Sequence, residues 1–300
     1  MTLKQLEYVC KVAELKNISL AANELFIAQP SLTHAISELE NEMNITIFIR
    51  TNKGVKITKD GETFISYAKN VLEQANLLDD KFKNTNTVKP RFSVSAQHYS
   101  FVVNAFVDVI KEFDADTYDF TLKETKTHEI IDDVTNLKSE IGILYLSNSN
   151  QDVLTKIFKN NNLEFIKLFT AEPHIFIDKN HPLSKKEKIY LQDLDEFPYL
   201  SFEQGNNNSF YYSEELLPTI DRKKNIKVSD RATLFNLAVG LNGYTVSSGV
   251  ISEELNGGNI ISKRLYIDEN MVIGYIKQKN MSLSKYATSF IKNIKLYIRK

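Results

Sequence analysis

Residues 19–40 read SLAANELFIAQPSLTHAISELE, and this stretch decides the fold of the first part of the chain. Pro30 stands between two amphipathic patterns, and a proline inside a helix costs about 3 kcal/mol, so one continuous helix is excluded. A proline is favourable near the start of a helix, where its missing N–H group is not needed. The stretch therefore predicts one helix that is capped by Ser19 and buries Leu20, Ala21 and Leu25, and a second helix that begins near Pro30.

The second helix presents polar side chains on its outer N-terminal face. With the helix before it, this arrangement has the outline of a helix-turn-helix, in which the second helix enters the major groove of DNA. Gln29 can pair bidentately with adenine, and Thr33 can contact a phosphate or a thymine methyl group. The polar residues on this face are Gln29, Ser31, Thr33, His34 and Ser37. The alternative is a helical hairpin that only packs.

A candidate wing follows in residues 47–62, IFIRTNKGVKITKDGE. Two short alternating runs flank a turn at Asn52-Lys53-Gly54, which is typical of a β-hairpin. The formal net charge of the chain is -1, so contact with DNA requires a local basic patch. Arg50, Lys53 and Lys56 supply that patch as candidate phosphate contacts.

A long amphipathic helix is predicted after Thr58, which is expected to cap it. Its apolar residues recur in alternating steps of four and three, which is the rhythm of a coiled-coil seam. These residues are Phe64, Ala68, Val71, Ala75, Leu78 and Phe82. We expect a dimerisation helix, because two-fold symmetry allows a helix-turn-helix to read a palindrome. The alternative is a helix that lies on the core of its own domain.

Taken in order, these motifs resemble the N-terminal winged helix-turn-helix of LysR-type transcriptional regulators. The similar elements are AA-x-x-L at 21–25, QPSLT at 29–33, the wing entry at 39–50 and G-V-x-I-T-x-x-G-E at 54–62. Ala28 stands where the family commonly has serine, and His34 where it often has arginine. The contact positions that the resemblance implies are Gln29, Pro30, Ser31, Thr33, His34 and Arg50.

The resemblance also implies partners. We expect a homodimer or homotetramer that binds an interrupted palindrome in double-stranded promoter DNA, responds to a small-molecule effector and works with RNA polymerase. The expected domains are a winged helix-turn-helix in residues 1–58, a linker and dimerisation helix in 59–89, and an effector-binding domain in 90–300.

Residues 90–300 alternate between β-like and helical runs, which predicts an α/β fold with a largely parallel sheet. The pattern resembles the two-lobed, periplasmic-binding-protein-like effector domain of the same family. The first lobe is expected in residues 90–163 and 267–300, and the second lobe in 164–266.

In such a fold a ligand lies between the lobes, where strands end and helices begin. Hydroxyl, amide and backbone N–H groups after the first strand suit a carboxylate. Glu203 opposite them would fit a zwitterion such as an amino acid, and the alternative is that its loop is solvated surface. The candidate effector-binding residues are Ser95, Gln97, His98, Tyr99, Ser100, Tyr145, Phe202, Glu203, Gln204, Asn206 and Ser247.

Other chemistries lack a motif. The chain has no GxGxxG or P-loop pattern, and Asp132 replaces the second histidine of an HExxH-like string at His128. We therefore expect no cofactor, no metal and no enzymatic activity. No apolar run approaches the ~20 residues of a membrane span, so we expect a cytoplasmic protein with no membrane contact. The remaining alternative is an intracellular solute-binding protein whose N-terminal helices only dimerise.

Overall fold

The computed structural model describes residues 1–51, 54–83, 89–205, 209–251 and 258–298. The chain divides into two units, Met1–Val88 and Lys89–Lys300, and each unit has a hydrophobic core of its own. Within the described residues, no helix is long and apolar enough to cross a membrane.

The first unit contains four helices and a two-stranded ribbon. The elements are α1 (Leu3–Leu15), α2 (Ile18–Glu24), α3 (Gln29–Met43), β1 (Phe48–Thr51), β2 (Gly54–Ile57) and α4 (Lys59–Lys83). Leu6, Val9, Leu32, Ile36 and Leu39 are buried in its core, so α1 and α3 pack with their apolar faces inward.

The cap of helix α2 lies two positions before the one that the sequence suggested. The side chain of Asn17, not that of Ser19, caps it by accepting the N–H of Leu20 at 3.1 Å. The inward face of α2 therefore carries Ala21 and Ala22, which are buried, whereas Leu20 is 54% exposed. The prediction that Ser19 caps and Leu20 is buried was wrong.

The turn between α2 and α3 closes with a left-handed residue. Phe26 has φ 54°, and the N–H of Ile27 bonds to the carbonyl of Ala22 at 3.0 Å while that of Phe26 bonds to Asn23 at 3.1 Å. These two bonds form a Schellman motif, which ends α2. Pro30 is the second residue of α3, so the proline starts the helix as predicted.

The ribbon is hydrogen-bonded to the helices around it. Strands β1 and β2 pair antiparallel, and the N–H of Val55 bonds to the carbonyl of Lys16 at 3.0 Å. Gly54 has φ 129°, and a Cβ there would lie 2.4 Å from the same carbonyl oxygen, so only glycine fits. One carboxylate oxygen of Glu40 accepts the N–H groups of Ile47 at 2.6 Å and Phe48 at 3.0 Å.

Helix α4 begins as predicted, because the Thr58 hydroxyl accepts the N–H of Gly61 at 2.9 Å. Its first half lies on the core of the first unit, where Ala68 is buried and packs with the side chains of α1. The side chains further along are exposed: Val71 is 42% exposed and Leu78 is 61% exposed. Tyr67, which is not part of the predicted seam, is 57% exposed. The predicted seam is therefore divided between core and surface, and the side chain of Phe82 lies outside the described residues.

The second unit is built around a five-stranded sheet in the order β4-β3-β5-β12-β6. Strands β3, β4 and β5 are parallel, whereas β12 is antiparallel to both β5 and β6. Helices α5 and α9 pack on one face of the sheet, and α6 and α7 on the other. The elements are β3 (Arg91–Ala96), α5 (Ser100–Phe113), β4 (Asp119–Glu124), α6 (Thr127–Thr135), β5 (Ile141–Leu146), α7 (Gln151–Asn160), β6 (Leu163–Ala171), β12 (Met271–Gln278) and α9 (Lys285–Tyr297).

A second lobe lies between β6 and β12. Its elements are β7 (His174–Asp178), β8 (Tyr199–Phe202), β9 (Asn225–Val228), α8 (Arg231–Leu241), β10 (Thr245–Ser247) and β11 (Ile260–Arg264). Strand β7 pairs antiparallel with β10 and β11, while β8 and β9 are parallel.

Two expectations about the lobes are corrected. Strand β6 belongs to the five-stranded sheet, so the second lobe begins after Ala171 and not at residue 164. The expected largely parallel sheet is not found: the five-stranded sheet has two parallel and two antiparallel pairings, and every strand that pairs with β7 in the second lobe runs antiparallel to it. The α/β fold class itself is confirmed.

Candidate DNA-binding surface and effector cleft

The N-terminal part of α3 presents a polar surface to solvent. Leu32 and Ile36 are buried on the inner side of the helix. Of the residues predicted to contact DNA, Gln29, Pro30, Ser31 and His34 are exposed, and Thr33 and Ser37 are half-buried. The hydroxyl of Ser19 donates to the side-chain oxygen of Gln29 at 3.3 Å, which links the two helices across the turn.

The start of α3 is suited to an anion. Its N-cap residue is Ala28, which has no side-chain acceptor for the first N–H groups of the helix. A phosphate oxygen can satisfy those N–H groups and is favoured by the helix dipole. His34 lies one turn further along, with its Nε2 3.4 Å from a carboxylate oxygen of Glu38.

The ribbon carries exposed basic side chains on both faces. In the observed register, Arg50 lies opposite Val55, and Lys56 lies opposite Ile49. Neighbouring residues of a strand alternate between faces, so Arg50 and Lys56 point to opposite sides of the ribbon. Lys53 lies outside the described residues.

A narrow cleft between the two lobes of the second unit brings together five of the predicted effector residues. They are His98, Tyr99, Ser100, Phe202 and Ser247. The cleft is further lined by side chains from α8 and from the segment before Leu216, including Arg231 and Glu214. Its free volume is about 20 Å³, which is room for about one water molecule.

The centre of the cleft is an ion pair between the lobes. One oxygen of the buried Glu214 carboxylate accepts the backbone N–H of His98 at 3.0 Å and lies 2.8 Å from its ring Nδ1. The other oxygen accepts the side-chain N–H of Gln204 at 3.1 Å. The His98 ring stacks on Phe202 with centroids 3.9 Å apart. Burial alone would lower the pKa of His98, but the hydrogen bond and charge of Glu214 raise it above its usual value.

Two further carboxyls lie beside this pair. Burial and then the charge of Glu214 raise the pKa of the Glu215 carboxyl to about 8, so this group is protonated at neutral pH. It accepts the N–H of Phe202 at 2.8 Å. Glu124, at the end of β4, lies 3.3 Å from Arg231 at the start of α8. Burial raises the pKa of Glu124, and the charge of Arg231 opposes this shift.

Several predicted effector residues are occupied elsewhere. The Ser95 hydroxyl bonds to Asp133 at 2.8 Å, in a buried network that does not line the cleft. The Gln97 amide donates to the Thr127 hydroxyl and accepts from the Tyr99 hydroxyl and the backbone N–H of Tyr145. These residues hold the first lobe together, so their predicted direct contact with a ligand is not supported.

Three other predictions also change. The Tyr145 hydroxyl donates to the carbonyl of Glu215 at 3.0 Å, so it supports the cleft from behind. Gln204 acts on the cleft only through Glu214. Glu203 forms an ion pair with Lys126 at 2.9 Å, outside the residues that line the cleft. Asn206 lies outside the described residues.

The sequence analysis missed the acid that does lie in the cleft. Glu214 and Glu215 follow an aromatic run, FYYSEELLP, and nothing in that pattern distinguishes them from a solvated loop. Glu214 is 116 positions from its partner His98. Only the tertiary fold brings such residues together. Among the described residues, no group of three or more histidine, cysteine, aspartate or glutamate side chains could hold a metal ion.

Two family models match the chain. The first, described as a bacterial regulatory helix-turn-helix protein of the LysR family, matches residues 3–62, and the second, described as a LysR substrate binding domain, matches residues 93–296. The chain therefore belongs to the LysR family of transcriptional regulators, which confirms the resemblance found in its motifs.

Individual relatives agree with this assignment. The transcriptional dual regulator GltC of Bacillus subtilis is 28% identical over 213 residues, which are 68% of this chain and 66%, just under two thirds, of GltC. A probable RuBisCO transcriptional regulator of Thalassiosira pseudonana is 26% identical over 271 residues, which are 85% of this chain and 83% of that protein. These relatives are regulators, in agreement with the expectation that the chain is not an enzyme.

Solved structures show the same fold. Full-length OxyR from Pseudomonas aeruginosa, in a variant form, has a TM-score of 0.64 at 19% identity, with 99% of this chain and 95% of that chain covered. Full-length CbnR in complex with its target DNA has a TM-score of 0.61 at 16% identity, with 99% of this chain and 100% of that chain covered.

Proposed function

We propose that this chain binds promoter DNA through the N-terminal face of α3 and the ribbon that follows it. The observation that carries the proposal is the division of α3 into a buried apolar side and an exposed polar side that includes Gln29 and Ser31. In a helix-turn-helix, the N-terminal residues on the exposed face of the second helix are those that reach the base edges in the major groove. Arg50 and Lys56 add positive charge on the two faces of the ribbon that follows α3.

The binding unit in this proposal is a homodimer or homotetramer on an interrupted palindrome, because two-fold symmetry in the protein matches two half-sites in DNA. The exposed part of α4, around Val71 and Leu78, is the proposed contact between subunits. The proposal also includes RNA polymerase as a partner of the DNA-bound oligomer.

The cleft around His98 and Phe202 is the proposed effector site. A small molecule that binds there more tightly in one arrangement of the subunits shifts the population toward that arrangement, and equal affinity for both would shift nothing. Polar groups from both lobes meet in this cleft, so occupancy is coupled to the contact between the lobes.

The test is DNase footprinting and gel-shift titration on the region upstream of the chain's own gene, at several salt concentrations. Gln29→Ala should weaken specific binding by about 1–3 kcal/mol and relax the base preference at one position of each half-site. Arg50→Ala should weaken binding to all sequences and reduce the salt slope by roughly one phosphate contact per subunit.

The matched control is Asn41→Ala, which removes an exposed amide near the other end of α3. It should leave DNA binding unchanged. Full protection by the Gln29→Ala and Arg50→Ala proteins would contradict the proposed surface. Absence of protection by the unchanged chain would favour the alternative of a solute-binding protein whose N-terminal helices only dimerise.

A further inference from the structure

In the cleft between the lobes, one carboxylate of the chain itself uses the hydrogen-bond donors that converge there. Glu214 accepts the backbone N–H of His98 at 3.0 Å, its ring Nδ1 at 2.8 Å and the Gln204 amide at 3.1 Å. An ionised carboxylate can only accept hydrogen bonds, so all three groups act as donors to it. The carboxylate is almost completely buried, with its side chain 4% exposed.

The hydrogen bonds of Glu214 decide what must happen when a ligand enters. The free space in the cleft is about 20 Å³, room for about one water molecule, and the donors that converge there already have Glu214 as their acceptor. A ligand can therefore use these donors only if it displaces the Glu214 carboxylate from them. The Glu214 carboxylate can leave the cleft because it is well solvated once it reaches water.

The groups that Glu214 leaves behind determine the chemistry of the ligand. The His98 N–H, the His98 ring and the Gln204 amide would become buried donors without an acceptor, which is costly. A cationic ligand cannot satisfy them, and it would also meet the His98 ring, whose pKa is raised. A carboxylate satisfies all three.

We propose that Glu214 is an intramolecular competitor of the effector, and that the effector carries a carboxylate which takes over the donors of Glu214. This inference rests on the proposed role of the cleft as the effector site. When the effector binds, the interlobe contact between Glu214 and His98 is exchanged for a contact through the ligand. The empty cleft is therefore closed by the chain itself, and the effector has to open this contact.

The stacked pair of His98 and Phe202 keeps the imidazole in place during the exchange, because Phe202 lies on the ring face and leaves the ring nitrogens free to bond. Arg231 also lines the cleft, 3.3 Å from Glu124, so a second acidic group on the ligand would meet a cation there. Simple monocarboxylates and dicarboxylates are consequently the appropriate probes.

The experiment is isothermal titration calorimetry of the full chain with acetate, malonate and methylammonium. Glu214→Ala removes the competing carboxylate and is expected to bind acetate or malonate at least tenfold more tightly than the unchanged chain. His98→Ala added to Glu214→Ala should abolish that gain, and methylammonium should not gain affinity. The matched control is Glu187→Ala, which removes an exposed acid outside the cleft and should change nothing.

Glu214→Gln is the second variant, because it nearly conserves the side-chain volume and tests the inference if the alanine variant does not fold. It should also bind the carboxylates more tightly, and the NMR titration of the His98 ring should move to lower pH because the partner charge is lost. Equal or weaker carboxylate affinity in the folded variants, or no binding by any of the proteins, would overturn the inference. Gel shifts of the same proteins report separately on the proposed regulator function.

Discussion

At the scale of single residues, Glu40 shows how one side chain connects two elements of the first unit. It lies on α3, and one of its oxygens accepts the N–H groups of Ile47 and Phe48 at the entry to the ribbon. The sequence motif L-E-x-E before the wing therefore has a structural reason: the first acid of the motif caps the start of the strand.

Glu40→Ala should destabilise the first unit by about 1–3 kcal/mol, because the N–H groups of two buried residues lose their acceptor. Hydrogen exchange at the Ile47 and Phe48 amides should become faster, and urea should unfold the unit earlier. The control is Glu38→Ala, whose carboxylate is exposed on the same helix and lies beside His34. Unchanged amide exchange in Glu40→Ala would refute the capping role.

The buried Glu215 carboxyl makes the stability of the chain depend on pH. The Glu215 carboxyl has a pKa of about 8 in the folded chain against an ordinary value of 4.5, so the folded state binds more protons between these values. Stability should therefore be highest at or below about pH 4.5 as far as this group is concerned, and should fall as pH rises toward 8. The slope approaches roughly 1.4 kcal/mol per pH unit where the two states differ by one proton.

Glu215→Gln removes the titrating group and keeps an oxygen for the N–H of Phe202. Its melting temperature should fall less between pH 6 and 8 than that of the unchanged chain. Circular dichroism melts at several pH values check this, and parallel curves for the two proteins would show that Glu215 does not titrate in this range.

At the scale of elements, α4 shows where periodicity predicts structure and where it does not. The apolar rhythm predicted the helix correctly, but it could not separate residues that face the unit's own core from residues that face solvent. Ala68 is buried against the helices of its own unit, and the exposed apolar side includes Tyr67, which lies outside the heptad positions. Side-chain spacing fixes the face of a helix only within about one residue.

Leu78→Glu should shift the chain toward monomers, because it places a charge on the most exposed apolar residue described on α4. Sedimentation velocity at several concentrations measures the change. Lys69→Glu changes charge on the opposite side of the same helix and should keep the oligomer. An unchanged oligomer in Leu78→Glu would mean that this face is not the subunit contact.

The turn residues of the first unit were largely predictable, because their chemistry is local. Pro30 near the start of α3, Thr58 at the cap of α4 and Gly54 in the ribbon each have a requirement that the sequence itself reveals. Ser19 and Asn17 are both good caps, and only the packing of Ala21 and Ala22 against the neighbouring helices decides between them.

At the scale of the whole molecule, the effector cleft was predictable as a place but not as a set of contacts. His98 and Phe202 follow from the rule that ligands bind where strands end. Glu214 and Arg231 do not, because their partners in the first lobe are more than a hundred positions away in the chain. Such contacts depend on how the two lobes meet, and short-range patterns carry no information about that.

The ion pair between Glu124 and Arg231 joins the two lobes, with 3.3 Å between the charged atoms. Arg231→Ala should destabilise the second unit more than Glu124→Gln, because it leaves a half-buried acid without its cation. The double variant should lose less stability than the sum, with a coupling on the order of 1 kcal/mol. Urea denaturation of the four proteins measures this.

The exposed pair of Lys223 and Glu196, 3.2 Å apart on the second lobe, is the reference for this cycle. Solvent screens that pair, so the same double-variant cycle should give little coupling. Strict additivity at Glu124 and Arg231 would show that the contact between the lobes is energetically neutral.

The ribbon of the first unit is fastened at both ends, to Lys16 through Val55 and to Glu40 through Ile47 and Phe48. With its ends held in this way, the ribbon should keep a constant distance from α3 when the chain binds DNA. The DNA must then deform to fit the protein, which favours flexible pyrimidine–purine steps at positions that no side chain contacts. The affinity of this protein for an operator should consequently depend on the flexibility of the DNA as well as on its base sequence.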